Sequence, residues 1–164
     1  MAEITQKQDS RRTFVDTLNE LAKTDDRIIV IICDVGFNYL SEPQKFRIIN
    51  LGVTEQSATM IATALALSGF KVFLYSMINF VLFRPAEMVR NGIVKHNAPV
   101  TLIGVKGSSS YKFLGFSHNL LHDREDLDFC KNIGLEAHTP QTNEEVRETI
   151  LACYYSNKPN YVRL

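Results

Sequence analysis

What the sequence lacks narrows its role before any motif is read. It lacks a charge excess: 18 Lys and Arg balance 18 Asp and Glu, so bulk charge gives no case for nucleic acid or an anionic membrane. It lacks a CxxC pair. The three cysteines, Cys33, Cys130 and Cys153, are odd in number and far apart, which reads as reduced core thiols in a cytoplasmic protein. No apolar run approaches the ~20 residues of a membrane span, and residues 1–26 are too polar for a signal peptide. The phosphate-gripping GxxxxGK[ST], a GxGxxG after a strand and a GxSxG elbow are all missing. So is a Gly-Asp-Gly followed by paired Asn, which leaves the chain without an obvious metal–diphosphate site of its own.

What remains is an ordinary globular sequence of 164 residues, 45% apolar and 22% charged, enough for one full core. Residues 1–10 read as a polar tail and residues 11–164 as one domain without repeats or linkers. Residues 11–23 carry Phe14, Val15, Leu18, Leu21 and Ala22 at helical spacing. Residues 27–33, RIIVIIC, are apolar on both faces, as in the central strand of a parallel sheet. Further strands are predicted over 47–51, 71–75, 99–105, 135–138 and 160–164. Helices are predicted over 54–68, 79–96, 123–131 and 142–155. Residues 37–44 and 106–123 read as loops, the second long enough to be functional. Strands alternate with helices, so the fold class is α/β, a mostly parallel twisted sheet with helices on both faces. Ligands in such sheets sit beyond the carboxyl ends of the strands, which here are 34–38, 50–55, 76–83, 106–118 and 139–140.

One stretch stands out at those ends. Glu55 opens the helix over 54–68, whose residues are mostly Ala, Leu, Ile and Met. A carboxylate there is expensive unless something holds it. Its plainest role is to complement the helix dipole, worth roughly 0.3–1 kcal/mol; a catalytic role is the other. Phe80 and Phe83, three apart, fit ordinary core packing or the wall of a pocket. His118, in the long loop, is either bonded to backbone or placed for proton transfer near neutral pH. His118 and His122 would share a face if helical, with Asp123 next to them, as a metal site would need, but no further ligand is evident and Asp123 reads better as a helix cap.

The segment RIINLGVTEQ at 47–56, ALALSG at 64–69, Asn79-Phe80 with Arg84, GFSH at 115–118 and YVRL at 161–164 fall in the order and spacing of transketolase. The chain resembles the pyrimidine-binding domain of that family, as found in split, two-subunit transketolases. The resemblance implies thiamine diphosphate as cofactor. It implies that Glu55 bonds the ring nitrogen of the cofactor's aminopyrimidine, favouring the imino form that takes the thiazolium proton. A desolvated carboxyl that holds its proton suits that task. It further implies Phe80 stacked on the pyrimidine and Phe83 beside it, both cofactor-binding, with His118 facing the donor substrate. Lys106 and Arg163 match residues that bind the substrate phosphate, and Asn38 takes a polar substrate-contacting place. Mg²⁺ and the diphosphate would be held mainly by a separate partner chain, in an α2β2-type heteromer. The reaction implied is transfer of a two-carbon ketol unit from a ketose to an aldose. A related thiamine diphosphate-dependent synthase or decarboxylase, or a non-catalytic subunit that stabilises its partner, stays open at this point. Two departures matter. Leu114 stands four residues before His118, where the family has an Asp that reads a sugar hydroxyl, so the acceptor is expected to differ from a pentose phosphate. The sequence given also ends at Leu164, where such subunits continue into a further domain; that domain is expected to be dispensable, lost or on another chain.

Overall fold

The computed structural model describes residues 9–107 and 109–164. The expected tail over 1–10 falls almost wholly outside that range; at its end Asp9 accepts from the Arg12 amide at 3.1 Å and caps the first helix. The elements are α1 (Ser10–Leu21), β1 (Ile28–Ile32), α2 (Phe37–Leu40), β2 (Arg47–Asn50), α3 (Glu55–Leu67) and β3 (Lys71–Met77). They continue as α4 (Ala86–Met88), β4 (Val100–Val105), α5 (Glu125–Ile133), β5 (Glu136–His138), α6 (Asn143–Tyr155) and β6 (Asn160–Arg163). Among the described residues, six strands form one sheet in the order β2-β1-β3-β4-β6-β5, and every neighbouring pair is parallel. No helix of the described residues is long and apolar enough to cross a membrane.

The sequence of β1 explains the layering. All five of its residues are apolar and buried, and successive side chains of a strand point to opposite faces. Ile29 and Ile31 join one cluster with Ala58, Ala62 and Ala66, the small residues with which α3 lies against the sheet. Ile28, Val30 and Ile32 join the opposite cluster with Phe14 and Leu18 of α1 and Ile150 of α6. Helices therefore cover both faces, as two-sided burial of a parallel sheet requires. The partly exposed, short β2 and β5 stand at the edges, where burial is least needed. β1 has β2 on one side and β3 on the other, so the chain reverses its direction of travel across the sheet there. That reversal opens a crevice at the carboxyl ends of β1 and β3.

Three segments depart from the expected pattern. The predicted loop over 37–44 contains the short α2. The predicted helix over 79–96 is not a continuous α-helix: π-helical turns at Asn79–Phe83 and Val89–Val94 flank α4. Pro85, which has no amide hydrogen to donate, sits between them, and the widened winding shows in Arg84 N–H donating to the Asn79 carbonyl at 3.0 Å. The long loop over 106–123 carries a 3₁₀ stretch, Ser109–Ser117, broken at Gly115 with φ of 62°.

The α1–β1 turn is tied to α6 by Asp25. Its carboxylate takes a fork from Arg27 (2.9 and 2.7 Å) and the Tyr154 hydroxyl at 2.6 Å. The Arg27 hydrogen bond, reinforced by Tyr154, holds the Asp25 carboxyl well below the usual carboxylate range against the opposing pull of burial. A carboxyl depressed on folding stabilises fully above its unfolded value, about 3.9, and that contribution is lost as pH falls from there through the folded value. Asp25→Asn is expected to destabilise the chain by about 1–2 kcal/mol at neutral pH. The gap to wild type should hold down to about pH 4 and narrow steadily below it, as read by urea unfolding across that range.

Candidate active site

The crevice at the switch point is a cleft of about 480 Å³. Five of the seven residues singled out from sequence line it: Glu55, Phe80, His118, Lys106 and Asn38. They arrive from four separate parts of the chain, the turn after β1, the start of α3, the segment after β3 and the long loop after β4.

Glu55 is placed by the link between β2 and α3. The Asn50 side chain ties that link to the end of β1: its oxygen accepts from the amides of Asp34 (3.2 Å) and Gly52 (3.0 Å), and its nitrogen donates to the Asp34 carboxylate at 2.9 Å. Gly52 takes φ of 66°, a left-handed turn that suits glycine. The chain then enters α3 with the Glu55 side chain directed into the cleft and the residue only 7% exposed. Its carboxylate accepts from Arg84 Nη1 at 2.7 Å, and the same guanidinium lies over the Phe80 ring, 3.8 Å from its centroid. The expectation of a greasy, proton-holding carboxyl misses this neighbour. The Arg84 side chain is itself 41% exposed, so the pair faces solvent through the cleft.

His118 stands across from Phe80, with the two rings edge-on and their centroids 4.9 Å apart. Its Nδ1 is 2.7 Å from the Ser117 hydroxyl, and Tyr111 lies parallel to it at 6.4 Å. The histidine is thus bonded to a side chain, and it belongs to the cleft wall. Lys106 lines the same cleft, but its ammonium pairs with the Asp123 carboxylate, which in consequence lies below its usual range.

Two of the seven do not line the cleft. Phe83 is packed edge-on against Phe129 of α5, at 5.6 Å between centroids. The π-helical winding separates residues three apart further around the axis than an α-helix does, which turns Phe83 away from Phe80. Arg163 is held inside the protein: its Nη1 donates to the fully buried Asp126 at 3.1 Å and to the Asp123 carbonyl at 2.7 Å. A carboxylate without exposure needs its counter-charge, and Tyr161 supplies the second hydrogen bond at 2.7 Å. Asp123 does not cap α5, whose N-cap is Arg124 without a side-chain bond, because Lys106 draws its carboxylate away. Among the described residues no group of three or more His, Cys, Asp or Glu is arranged to hold a metal ion.

Among the cleft residues that sequence reasoning misses, four bear on its chemistry. Arg84 stands in a motif that assigns it no role. Arg11 lines the cleft from α1, though a basic residue in the first turn of a helix suggests plain solubility. Asp34 reads as the end of a strand, yet it adopts φ of 53°, uncommon for a non-glycine and typical of functional turns. Cys33 forms a neutral part of the wall: burial, then the nearby Glu55 carboxylate, push its thiol up to about 11.

The family described as "Transketolase, pyrimidine binding domain" matches residues 6–164. The chain is 32% identical over 160 residues to an apulose-4-phosphate transketolase subunit of Phocaeicola vulgatus, covering 94% of this chain and 50% of that protein. It is 26% identical over 159 residues to the 6-deoxy-6-sulfo-D-fructose transketolase subunit SqwH of Clostridium sp. (strain MSTE9), covering 94% and 48%. The chain thus spans about half the length of the curated relatives it matches. Among solved structures, a split gene transketolase described as an inactive beta4 tetramer shares the fold with a TM-score of 0.77 at 22% identity, over 94% of this chain and 50% of that one.

Arg84 and Glu55 form a unit whose worth can be measured. Arg84→Met leaves a nearly buried carboxylate without its cation and is expected to cost about 1–2 kcal/mol in urea unfolding at neutral pH. In the Glu55→Gln background the same substitution should cost less than half as much, a coupling that a double-mutant cycle reads directly.

Proposed function

Because this chain belongs to the transketolase pyrimidine-binding domain family, we propose that it is one half of a two-chain, thiamine diphosphate-dependent transketolase. The reaction is transfer of a two-carbon ketol unit from a ketose to an aldose. The observation that carries the reading is that Glu55, Phe80 and His118, brought together by folding, line one solvent-open cleft at the strand switch point.

The residues fit the cofactor's pyrimidine half. Arg84 covers the Phe80 face and bonds the Glu55 carboxylate. It is a flat, nitrogen-bearing cation, and a flat aminopyrimidine would use the same two contacts: a stack on the ring and a hydrogen bond to the acid. The Arg84 side chain, 41% exposed, would turn outward to yield that place. Thiamine diphosphate, when bound, supplies a stabilised carbanion equivalent that the protein's side chains cannot provide. The chain's own part is narrower. Phe80 offers a stacking face worth roughly 0.5–1.5 kcal/mol beyond buried area. Glu55 bonds a ring nitrogen and holds or releases a proton there. His118, edge-on to Phe80 in the same cleft, exchanges a proton with a substrate hydroxyl. Cys33 and Tyr75, both buried, also line the cleft.

Arg11 and Lys106 place two cations at the cleft, which suits a substrate carrying an anionic group at one end. They take the role that sequence reading gives jointly to Lys106 and Arg163. Leu114 offers no acceptor for a sugar hydroxyl, which supports an acceptor other than an ordinary pentose phosphate. Relatives named for apulose 4-phosphate and for 6-deoxy-6-sulfo-D-fructose are in keeping with substrate variety in such subunits. The diphosphate and its divalent ion, Mg²⁺ in our reading, belong to a separate partner chain in an α2β2-type assembly.

The experiment is reconstitution. The chain alone, with thiamine diphosphate and Mg²⁺, should show no ketol transfer; the chain with its partner should transfer from a ketose phosphate to a panel of aldoses. Glu55→Gln in the pair is expected to lower kcat by about 10²–10⁴-fold while both chains stay folded and associated. Unchanged turnover would overturn the catalytic reading and favour a subunit that only stabilises its partner.

A further inference from the structure

Asn79 sits immediately before Phe80, at the first position of the π-helical turn, and the proposed chemistry gives it nothing to do. A carboxamide carries two N–H donors. In Asn79 the Nδ2 nitrogen donates to the Phe116 carbonyl at 2.9 Å and to the Asn119 carbonyl at 3.3 Å. Those two carbonyls bracket His118, two residues before it and one after. The same short segment is pressed from the other side by Gly107. A Cβ built at that glycine would stand 3.0 Å from the His118 carbonyl, tighter than such contacts normally allow. The segment also closes on itself, with the Asn119 side-chain amide donating back to the carbonyls of Tyr111 (3.0 Å) and Gly115 (2.8 Å).

We propose that Asn79 is a positioning residue that sets the place of the His118 imidazole relative to the Phe80 ring. This rests on the reading of the cleft as a transketolase half-site. The geometry gives the reason. Phe80 and His118 come from segments 38 positions apart in sequence and meet edge-on in the lining of the cleft. Their 4.9 Å spacing is held through one covalent neighbour and two hydrogen bonds: Phe80, Asn79, then the backbone on either side of His118. No other side-chain hydrogen bond from the β3–α4 region reaches the loop backbone among the described residues. The Ser117 contact to His118 Nδ1 orients the ring, but it travels with the loop and fixes nothing against Phe80. The Asn79 amide refers the loop to the wall that carries the cofactor contact. A group misplaced by about 1 Å in such a site loses on the order of 10²-fold in rate.

The test has one arm that needs neither partner nor cofactor. The chain has four histidines, and their imidazole resonances separate by NMR. Phe80→Leu identifies the His118 signals by removing the ring current from the nearby aromatic. In Asn79→Ala and Asn79→Asp, which lose the donors, the His118 signals should lose that displacement and move to free-histidine positions, while those of His96 and His138 stay put. His118 signals unmoved in both variants would overturn the proposal. The second arm uses the reconstituted pair with D-fructose 6-phosphate as probe donor. Asn79→Ala is expected to lower kcat about 10²-fold with thiamine diphosphate affinity within threefold of wild type. In the His118→Ala background it should add less than threefold, because its effect runs through that imidazole. Fully additive losses would mark a merely structural role and overturn the proposal. If His118→Ala alone left turnover intact, the catalytic reading of His118 would fall, and the NMR arm would still decide whether Asn79 places the ring.

Discussion

A carboxylate at the start of a helix whose inner face is packed against a sheet must be answered by something. The answer here is a single arginine. Glu55 is nearly buried, and the Arg84 guanidinium reaches it while lying flat on Phe80. Two parts of the chain meet in that contact: α3, which begins with the acid, and the irregular segment after β3, which supplies both the cation and the ring. The contact is partly open to water, so its worth is modest beside that of a sealed ion pair. Its importance is geometrical. It holds an acid, an aromatic face and a cleft in one arrangement, the one the proposed cofactor contact relies on.

The arrangement depends on how the chain leaves the sheet. The β1–β2 connection and the crossover to β3 run to opposite sides of β1, and the crevice between them would exist for almost any sequence in this topology. What this sequence adds is local. Asn50 ties the start of α3 to the end of β1 through Asp34, whose left-handed backbone keeps the turn tight. Pro85 prevents a regular α-helix from following β3, and the π-helical turn before it carries Phe80 and Arg84 into the lining of the cleft while Phe83 packs on α5. The irregularity is therefore part of the site, in keeping with the frequency of such turns at functional positions.

Much of this is legible in the sequence, for identifiable reasons. β1 reads as a central strand because all its residues are apolar, and the helix expected over 142–155 is α6, to which the structure adds a capping box of Thr142 and Glu145. Glu55 draws attention because an acid interrupts an apolar helix. The gathering of Glu55, Phe80, His118, Lys106 and Asn38 follows from strand ends and from family resemblance together. What is not legible depends on partners distant in sequence. Arg163 is a good phosphate ligand by type, but the burial of Asp126, set by the packing of α5 on β6, claims it first. Phe83 looks like a neighbour of Phe80 because helical spacing assumes an α-helix. Arg84 looks like one letter of a motif because its two contacts lie 29 and 4 residues away, one at the start of α3 and one around a widened turn.

The same competition for charges bears on how the cleft discriminates. Of the basic groups near the strand ends, Arg84 is engaged by Glu55, Arg163 by Asp126 and Lys106 by Asp123. These engagements are unequal. The Arg163 pair is anchored by a carboxylate with no exposure, and releasing it would leave that charge stranded. The Lys106 pair is open to solvent on both sides, so separating it costs little. Arg84 lies between these extremes, firmly bonded to its acid but exposed along its own length. The order of burial thus sets the order in which these cations can be released: Lys106 most readily, Arg84 next, and Arg163 least, since it holds the framework.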